Sequence, residues 1–158
     1  MDYFPLREGM RLEYRHKSAS ETGGYVFEVV SAAESGGVLR AHCRHTPLSA
    51  QKPYDFTLVK DSRGVHRGRA LELPLPARPG RRWARAPYSY RVDALDAVKT
   101  VPAGTFRGCL RVAYLVAGGD AGRGERLYAP GVGLICEICA DETDPFELLL
   151  TRAVLPAA

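Results

Sequence analysis

Two short segments of the chain carry the residue types that most often bind metals or act as nucleophiles. Cys136 and Cys139 have the two-residue spacing of zinc knuckles and redox pairs. His42, Cys43 and His45 are concentrated in a run of four residues. Residues three apart in an extended strand point to opposite faces, so the thiols of Cys136 and Cys139 should diverge. The pattern favours buried free thiols, and a metal site would require the strands that carry these residues to be neighbours.

Arginine and aromatic residues are interleaved in the segment 81–91, a pattern found in proteins that bind single-stranded nucleic acids. Its members are Arg81, Arg82, Trp83, Arg85, Tyr88, Tyr90 and Arg91. Residues 60–91 contain nine basic side chains and two acidic ones, whereas the formal charge of the whole chain is only +4. The segment predicts a basic stripe, and nucleic-acid binding is therefore a second alternative beside metal binding.

The common catalytic signatures are absent from the sequence. It contains no G-x-S-x-G elbow, no H-E-x-x-H pair, no P-loop and no G-x-G-x-x-G segment that opens a helix. No nucleophile, general base or cofactor can be named on these grounds. The sequence therefore favours a protein that is not an enzyme.

Length and composition are typical of one soluble globular domain over residues 1–158, with 46% hydrophobic and 25% charged residues. No apolar run approaches the roughly 20 residues that a transmembrane helix needs. Four cysteines are too few for a disulfide-stapled scaffold. Because the first residues lack the basic and apolar regions of a signal peptide, a cytoplasmic protein is expected, with a periplasmic or lipoprotein-like location if the chain has been trimmed.

Alternation of apolar and polar residues with a period of two dominates the chain, and long helical periodicities are absent. In residues 11–17, for example, Leu12, Tyr14 and His16 fall on one face. Nine or ten short strands joined by glycine-rich turns are predicted, including 83–92 and 97–101. The predicted fold is all-β, a curved antiparallel meander that forms a barrel, half-barrel or sandwich with at most one or two short helices.

One segment could form a helix instead of a strand. Asp144 is a good N-cap residue and Pro145 suits the first helical position, so residues 146–150 could begin a short helix. The leading prediction is nevertheless a strand over 146–154, with the helix as its alternative. Gly108 lies within another predicted strand, where a glycine indicates a bulge.

A curved antiparallel sheet encloses a concave face, and apolar side chains on that face could line a pocket for a lipid-like or other small apolar molecule. The residues predicted to line it are Tyr14, Phe27, Phe56, Trp83, Tyr114 and Tyr128. The same side chains could instead fill the core. The leading prediction is a non-enzymatic β module that binds a small apolar ligand or a protein partner, and unpaired sheet edges could also pair two copies of the chain.

Three stretches resemble other proteins: residues 3–6 with Gly9 and Tyr14, residues 101–112, and residues 128–134. Together they are similar to a broad group of uncharacterised bacterial β-rich domains, the DUF3108-like group. The resemblance implies an antiparallel, strongly curved sheet and carries no catalytic residues. It also implies kinship with modules that are often secreted or attached to lipid.

Overall fold

The computed structural model describes residues 1–117, 122–140 and 144–157, and all regular secondary structure in these ranges is β-strand. The strands are β1 (Arg11–Ser18), β2 (Thr22–Ser35), β3 (Val38–Pro47), β4 (Tyr54–Asp61), β5 (Gly64–Arg67), β6 (Ala70–Pro74), β7 (Arg82–Arg85), β8 (Tyr88–Val101), β9 (Gly104–Val116), β10 (Arg123–Ala129), β11 (Gly133–Cys139) and β12 (Phe146–Val154). The same ranges contain no helix that is long and apolar enough to cross a membrane. The predicted all-β fold is confirmed.

The strands form one antiparallel sheet in the order β6-β5-β4-β3-β2-β1-β12-β11-β10-β9-β8-β7. Two six-stranded meanders, β1–β6 and β7–β12, are joined where β1 pairs with β12. The sheet curls into a nearly closed barrel whose seam lies between β6 and β7. Arg85 Nη1 lies 3.2 Å from Glu72 Oε1 across this seam. Hydrogen bonds between β1 and β12 therefore join the two meanders, and this ion pair bridges the seam that remains between β6 and β7.

The N-terminal segment, residues 1–10, closes one end of the barrel. The backbone N–H of Gly131 donates to Asp2 O at 2.7 Å. Lys60 Nζ donates to Asp2 Oδ1 at 2.8 Å and to Phe4 O at 2.9 Å. Met10, at the end of the segment, is buried in the core. Because the segment is fixed to β4, to the turn between β10 and β11 and to the core, its apolar residues form a floor under the barrel interior.

The β8–β9 hairpin is long enough to fold over the outer surface of the barrel. Its register shifts between Ala97 and Lys99, and Gly108 on the opposite strand has a φ of 64°, so the predicted irregularity at Gly108 is confirmed. The outer half of the hairpin contributes Cys109 to the buried cluster that also holds Leu127 and Cys136. This hairpin explains why both faces of β10 and β11 are buried.

Two sequence-based boundaries are wrong. Residues 83–92 do not form one strand, because Arg85 pairs with Tyr88 and the chain turns at the two residues between them. Pro87 suits this turn, since it lacks the N–H that a strand ladder would use. Residues 97–101 are not a separate strand, because β8 continues through them.

The predicted strand over residues 146–154 is confirmed, and the alternative helix at residues 146–150 does not form. β12 occupies these residues and pairs with β1 on one side and β11 on the other. The N-cap signal at Asp144 and Pro145 is worth about 1 kcal/mol, which is less than the gain from two sheet neighbours that satisfy the backbone and bury Leu148 and Leu150.

Candidate functional site

The barrel interior contains a cavity of about 310 Å³ between the first meander and strands β10 and β11. Its walls carry the rings of Tyr14, Tyr25, Phe27, His45, Tyr54, Phe56 and Tyr128. Met10 and Leu12 line its closed end beside the N-terminal segment, and Leu12 is only 2% exposed. The volume is at the lower end of the roughly 300–1,000 Å³ that is usual for small-molecule sites.

Three rings on neighbouring strands form a stacked wall of the cavity. His45 stacks on Tyr25 with ring centroids 4.3 Å apart and on Tyr54 at 4.8 Å. His45 and Tyr54 are direct partners across β3 and β4, the arrangement in which cross-strand rings meet. Burial, and secondarily the guanidinium of Arg67, lower the pKa of His45, so its imidazole is uncharged at neutral pH. The wall is therefore flat, preformed and without a formal charge of its own.

Arg67 lies at the rim of the cavity, at the end of β5. Its Cζ is 4.1 Å from the ring centroid of Phe56 and 5.8 Å from that of Tyr54. The side chain is exposed, and no carboxylate among residues 1–117, 122–140 and 144–157 lies within 4.0 Å of it. A guanidinium held on an aromatic face keeps the N–H groups at its edge free to donate.

A buried ion pair between Arg126 and Glu137 lines the cavity on the side of β10 and β11. Arg126 Nε lies 3.1 Å from Glu137 Oε1, and the two side chains are 19% and 12% exposed. This contact is an ion pair without a hydrogen bond from Nε. The hydroxyl of Tyr114 donates to Glu137 Oε2 at 2.8 Å. Burial and the nearby Glu137 carboxylate raise the pKa of Tyr114, so the phenol stays protonated and can donate.

Four of the six residues predicted to line a pocket, namely Tyr14, Phe27, Phe56 and Tyr128, lie around this cavity. The structure places Trp83 and Tyr114 elsewhere, in a second aromatic cluster with Tyr88 and Tyr90. Trp83 stacks on Tyr90 at 5.2 Å, and Tyr88 meets Tyr114 edge to face at 5.8 Å. The predicted set is therefore divided between two regions of the barrel.

The residues proposed for nucleic-acid binding do not form a joint stacking surface. Trp83 and Tyr90 stack on each other, and Tyr90 is buried. Arg82 and Arg91 are partners across β7 and β8 and are exposed, whereas Trp83 is half-buried.

The other members of the segment make local contacts. Arg81 Nη1 donates to Pro76 O at 2.9 Å, Arg85 pairs with Glu72, and Arg91 Nη2 lies 3.1 Å from Asp93 Oδ1. Tyr88 packs against Tyr90 and Tyr114.

The five candidate metal ligands are dispersed. His42 Nε2 lies 2.7 Å from Asp55 Oδ2 on the outside of the barrel, whereas His45 belongs to the stacked wall. Cys43 and Cys136 are fully buried, and burial raises the pKa of their thiols to about 12 and about 11. Cys139 packs in the second aromatic cluster. Within the described parts of the chain, no group of three or more His, Cys, Asp or Glu side chains is placed to hold a metal ion.

Sequence reasoning missed most of the other residues that line the cavity, among them Tyr54, His45 and Arg67. Tyr54 alternates in register with Phe56 and Leu58, so its position was readable from the strand pattern. His45 was considered only as a metal ligand. Arg67 carried no local signal, because its contact with Phe56 depends on the closure of β5 against β4.

No protein-family model matches the chain, and no curated protein matches it significantly. The resemblance to the DUF3108-like group therefore stays a prediction. Two solved structures are similar over 96% of this chain and 98% of their own. One is a protein from Bacteroides fragilis that is inferred to be exported and has a YmcC-like fold (TM-score 0.70, 16% identity). The other is inferred to be a lipoprotein, from Parabacteroides distasonis (TM-score 0.61, 13% identity). At these identities the likeness concerns the fold alone, and that fold is YmcC-like.

Proposed function

We propose that this protein is a non-enzymatic binding module whose interior cavity holds a small apolar molecule. The observation that carries the proposal is the cavity of about 310 Å³ lined by rings from β1, β2, β3, β4 and β10. Burial of an apolar ligand there would be favourable by about 25 cal/mol per Å² of apolar surface removed from water. The stacked wall is already ordered, so little side-chain freedom would be lost on binding.

The size of the cavity supports a ligand site over a filled core. Protein interiors are packed about as densely as organic crystals, and voids larger than a water molecule are few. An apolar ligand that displaces water from this space would pack against the rings that line it.

We also propose that the protein acts outside the cytoplasm. The support is that both structural neighbours carry descriptions that place them outside it, as an exported protein and as a lipoprotein. The comparisons offer no support for the cytoplasmic expectation. Fractionation of the native host, with the protein detected by antibody, would test the location directly.

Cavity binding can be tested with 1-decanol, an uncharged molecule with an unbranched apolar tail. We expect it to raise the melting temperature of the protein, because a ligand that binds only the folded state stabilises that state. Leu58→Phe should fill the cavity and weaken decanol binding at least tenfold. The matched control is Leu115→Phe on the outer surface, where Leu115 is 63% exposed.

Two results would overturn the cavity proposal. One is a melting temperature that does not respond to decanol. The other is equal affinity for decanol in the wild type and in a Leu58→Phe variant whose circular dichroism shows an intact fold.

A further inference from the structure

We propose that the ligand of this cavity is an amphipathic anion with one carboxylate, whose head group binds Arg67 and whose tail points toward Leu12. The inference rests on the proposed function and goes further by naming the chemical class of the ligand. Three observations carry it: the polarity of the two cavity ends, the charge balance of the lining, and the way in which Arg67 is held.

The cavity has one wet end and one dry end. The end of β5 pairs with the middle of β4, where His66 is the partner of Val59. From there the Arg67 side chain reaches over Phe56 toward Tyr54, with its Cζ 5.8 Å from the Tyr54 ring centroid. Tyr54 and Arg67 therefore share one end of the cavity, where both are exposed. Met10 and Leu12 lie at the other end and are buried above the N-terminal segment. A molecule that is charged at one end and apolar at the other matches this gradient, because its charge stays hydrated while its tail is desolvated.

Charge balance gives the sign of the head group. Four ionised side chains line the cavity: Arg67, Glu72, Arg126 and Glu137. Glu137 is paired with Arg126 at 3.1 Å, and Glu72 is paired with Arg85 across the seam at 3.2 Å. Of these four charged groups, Arg67 is the one that has no ion-pair partner within 4.0 Å in the parts of the chain described. Its guanidinium contacts the rings of Phe56 and Tyr54. Because one guanidinium lacks a counter-charge, a ligand with one negative charge would balance it.

Arg67 is also preorganised for a carboxylate. Its guanidinium lies over Phe56, which fixes the plane of the group and leaves its edge free. A planar carboxylate can accept two parallel N–H bonds from that edge. The imidazole of His45 is neutral, so it does not compete for the anion.

The test compares decanoate with 1-decanol, two probes that share a tail length but differ in charge at pH 7.5. Isothermal titration calorimetry of the wild type should show tighter binding of decanoate. Arg67→Gln should lose roughly 10- to 100-fold in affinity for decanoate, the range expected for a hydrogen bond to a charged group, and should keep its affinity for decanol. The matched control is Arg69→Gln, which removes an exposed arginine two residues away that does not line the cavity.

The outcomes separate the two proposals. If the wild type binds decanol as tightly as decanoate, the head-group assignment is wrong and the cavity proposal stands. If Arg67→Gln lowers the affinity for both probes equally, Arg67 contributes only by packing on Phe56, and the head-group assignment is again wrong. If neither probe binds, the cavity proposal itself fails.

Discussion

The two aromatic regions of this barrel are built from similar residues, but one lines an open cavity and the other is buried. Around the cavity, Tyr25, His45 and Tyr54 stack nearly parallel and leave the space in front of them open. In the second aromatic cluster, Tyr90 and Tyr114 are inclined at 54° and are only 4% and 3% exposed. Trp83 and Tyr90 also stack nearly parallel, at 15°, so the two regions differ less in ring inclination than in exposure, since Tyr54 at the cavity is 45% exposed.

The ion pair of Arg126 and Glu137 lies between the two regions. Arg126 Cζ is 5.4 Å from the ring centroid of Tyr90 and 5.6 Å from that of Tyr114, while the same side chain lines the cavity. Glu137 likewise contacts Tyr114 and faces the cavity. This buried pair therefore contacts the rings of the second aromatic cluster on one side and forms a polar wall of the cavity on the other.

The largest effect is expected from breaking this boundary. Arg126→Met should lower the free energy of unfolding by about 3–5 kcal/mol, because it leaves the Glu137 carboxylate buried without its cation. The double variant Arg126→Met with Glu137→Leu should recover most of that loss, since two apolar side chains can replace a buried pair. Urea denaturation at pH 7 measures both. A single variant as stable as the wild type would show that the pair does not hold the two regions together.

A smaller effect should distinguish the open region from the packed one directly. Leu110 is fully buried in the second aromatic cluster, and Leu58 lines the cavity. Leu110→Phe should cost about 1–3 kcal/mol, because extra atoms must displace packed neighbours. Leu58→Phe should cost less than about 1 kcal/mol, because the cavity accepts the added atoms. Equal losses in urea denaturation would mean that the two regions are packed alike.

The alternation of residue types was enough to predict which face of each strand points inward. It placed Tyr14, Phe27, Phe56 and Tyr128 on the concave side, and these are the four predicted residues that meet at the cavity. Alternation shows which face of the sheet a side chain points to, because that direction is set by the position of the residue within its own strand.

Which inward-facing residues meet at the cavity, and which meet in the packed cluster, depends on the order of the strands and on how the sheet curls. Alternation within one strand does not show either. Trp83 and Tyr114 face inward as well, but both are cross-strand partners of Tyr90, on the strands that flank β8. The strand order keeps β7, β8 and β9 apart from the cavity strands β1 to β4. The floor under the cavity depends on contacts between residues far apart in the chain, such as the bond from Lys60 to Asp2. The alternative helix at 146–150 does not form because its local signals compete with the pairing of the predicted strand to β1 and β11.

The smallest effect concerns the outer face of the strands that form the stacked wall. Asp55, between two cavity residues of β4, points outward and accepts from Arg44 Nε at 2.8 Å and from His42 Nε2 at 2.7 Å. Hydrogen bonds from Arg44 and then His42 lower the pKa of Asp55 from 3.8 to about 2. Unlike the ion pair of Arg126 and Glu137, this one is exposed to water, which screens it.

Asp55→Asn should therefore lower the melting temperature only slightly at pH 7. A carboxyl whose pKa is depressed by folding contributes its stability above the unfolded value and loses it as the pH falls through the folded value. The difference between wild type and Asp55→Asn should then be complete above pH 3.8 and shrink toward pH 2, as measured by thermal melts across that range. Since Asp55 lies outside the cavity, decanol affinity should not change in this variant. A change would mean that the outer ion pair positions Tyr54 and Phe56, and that the two faces of β4 are coupled.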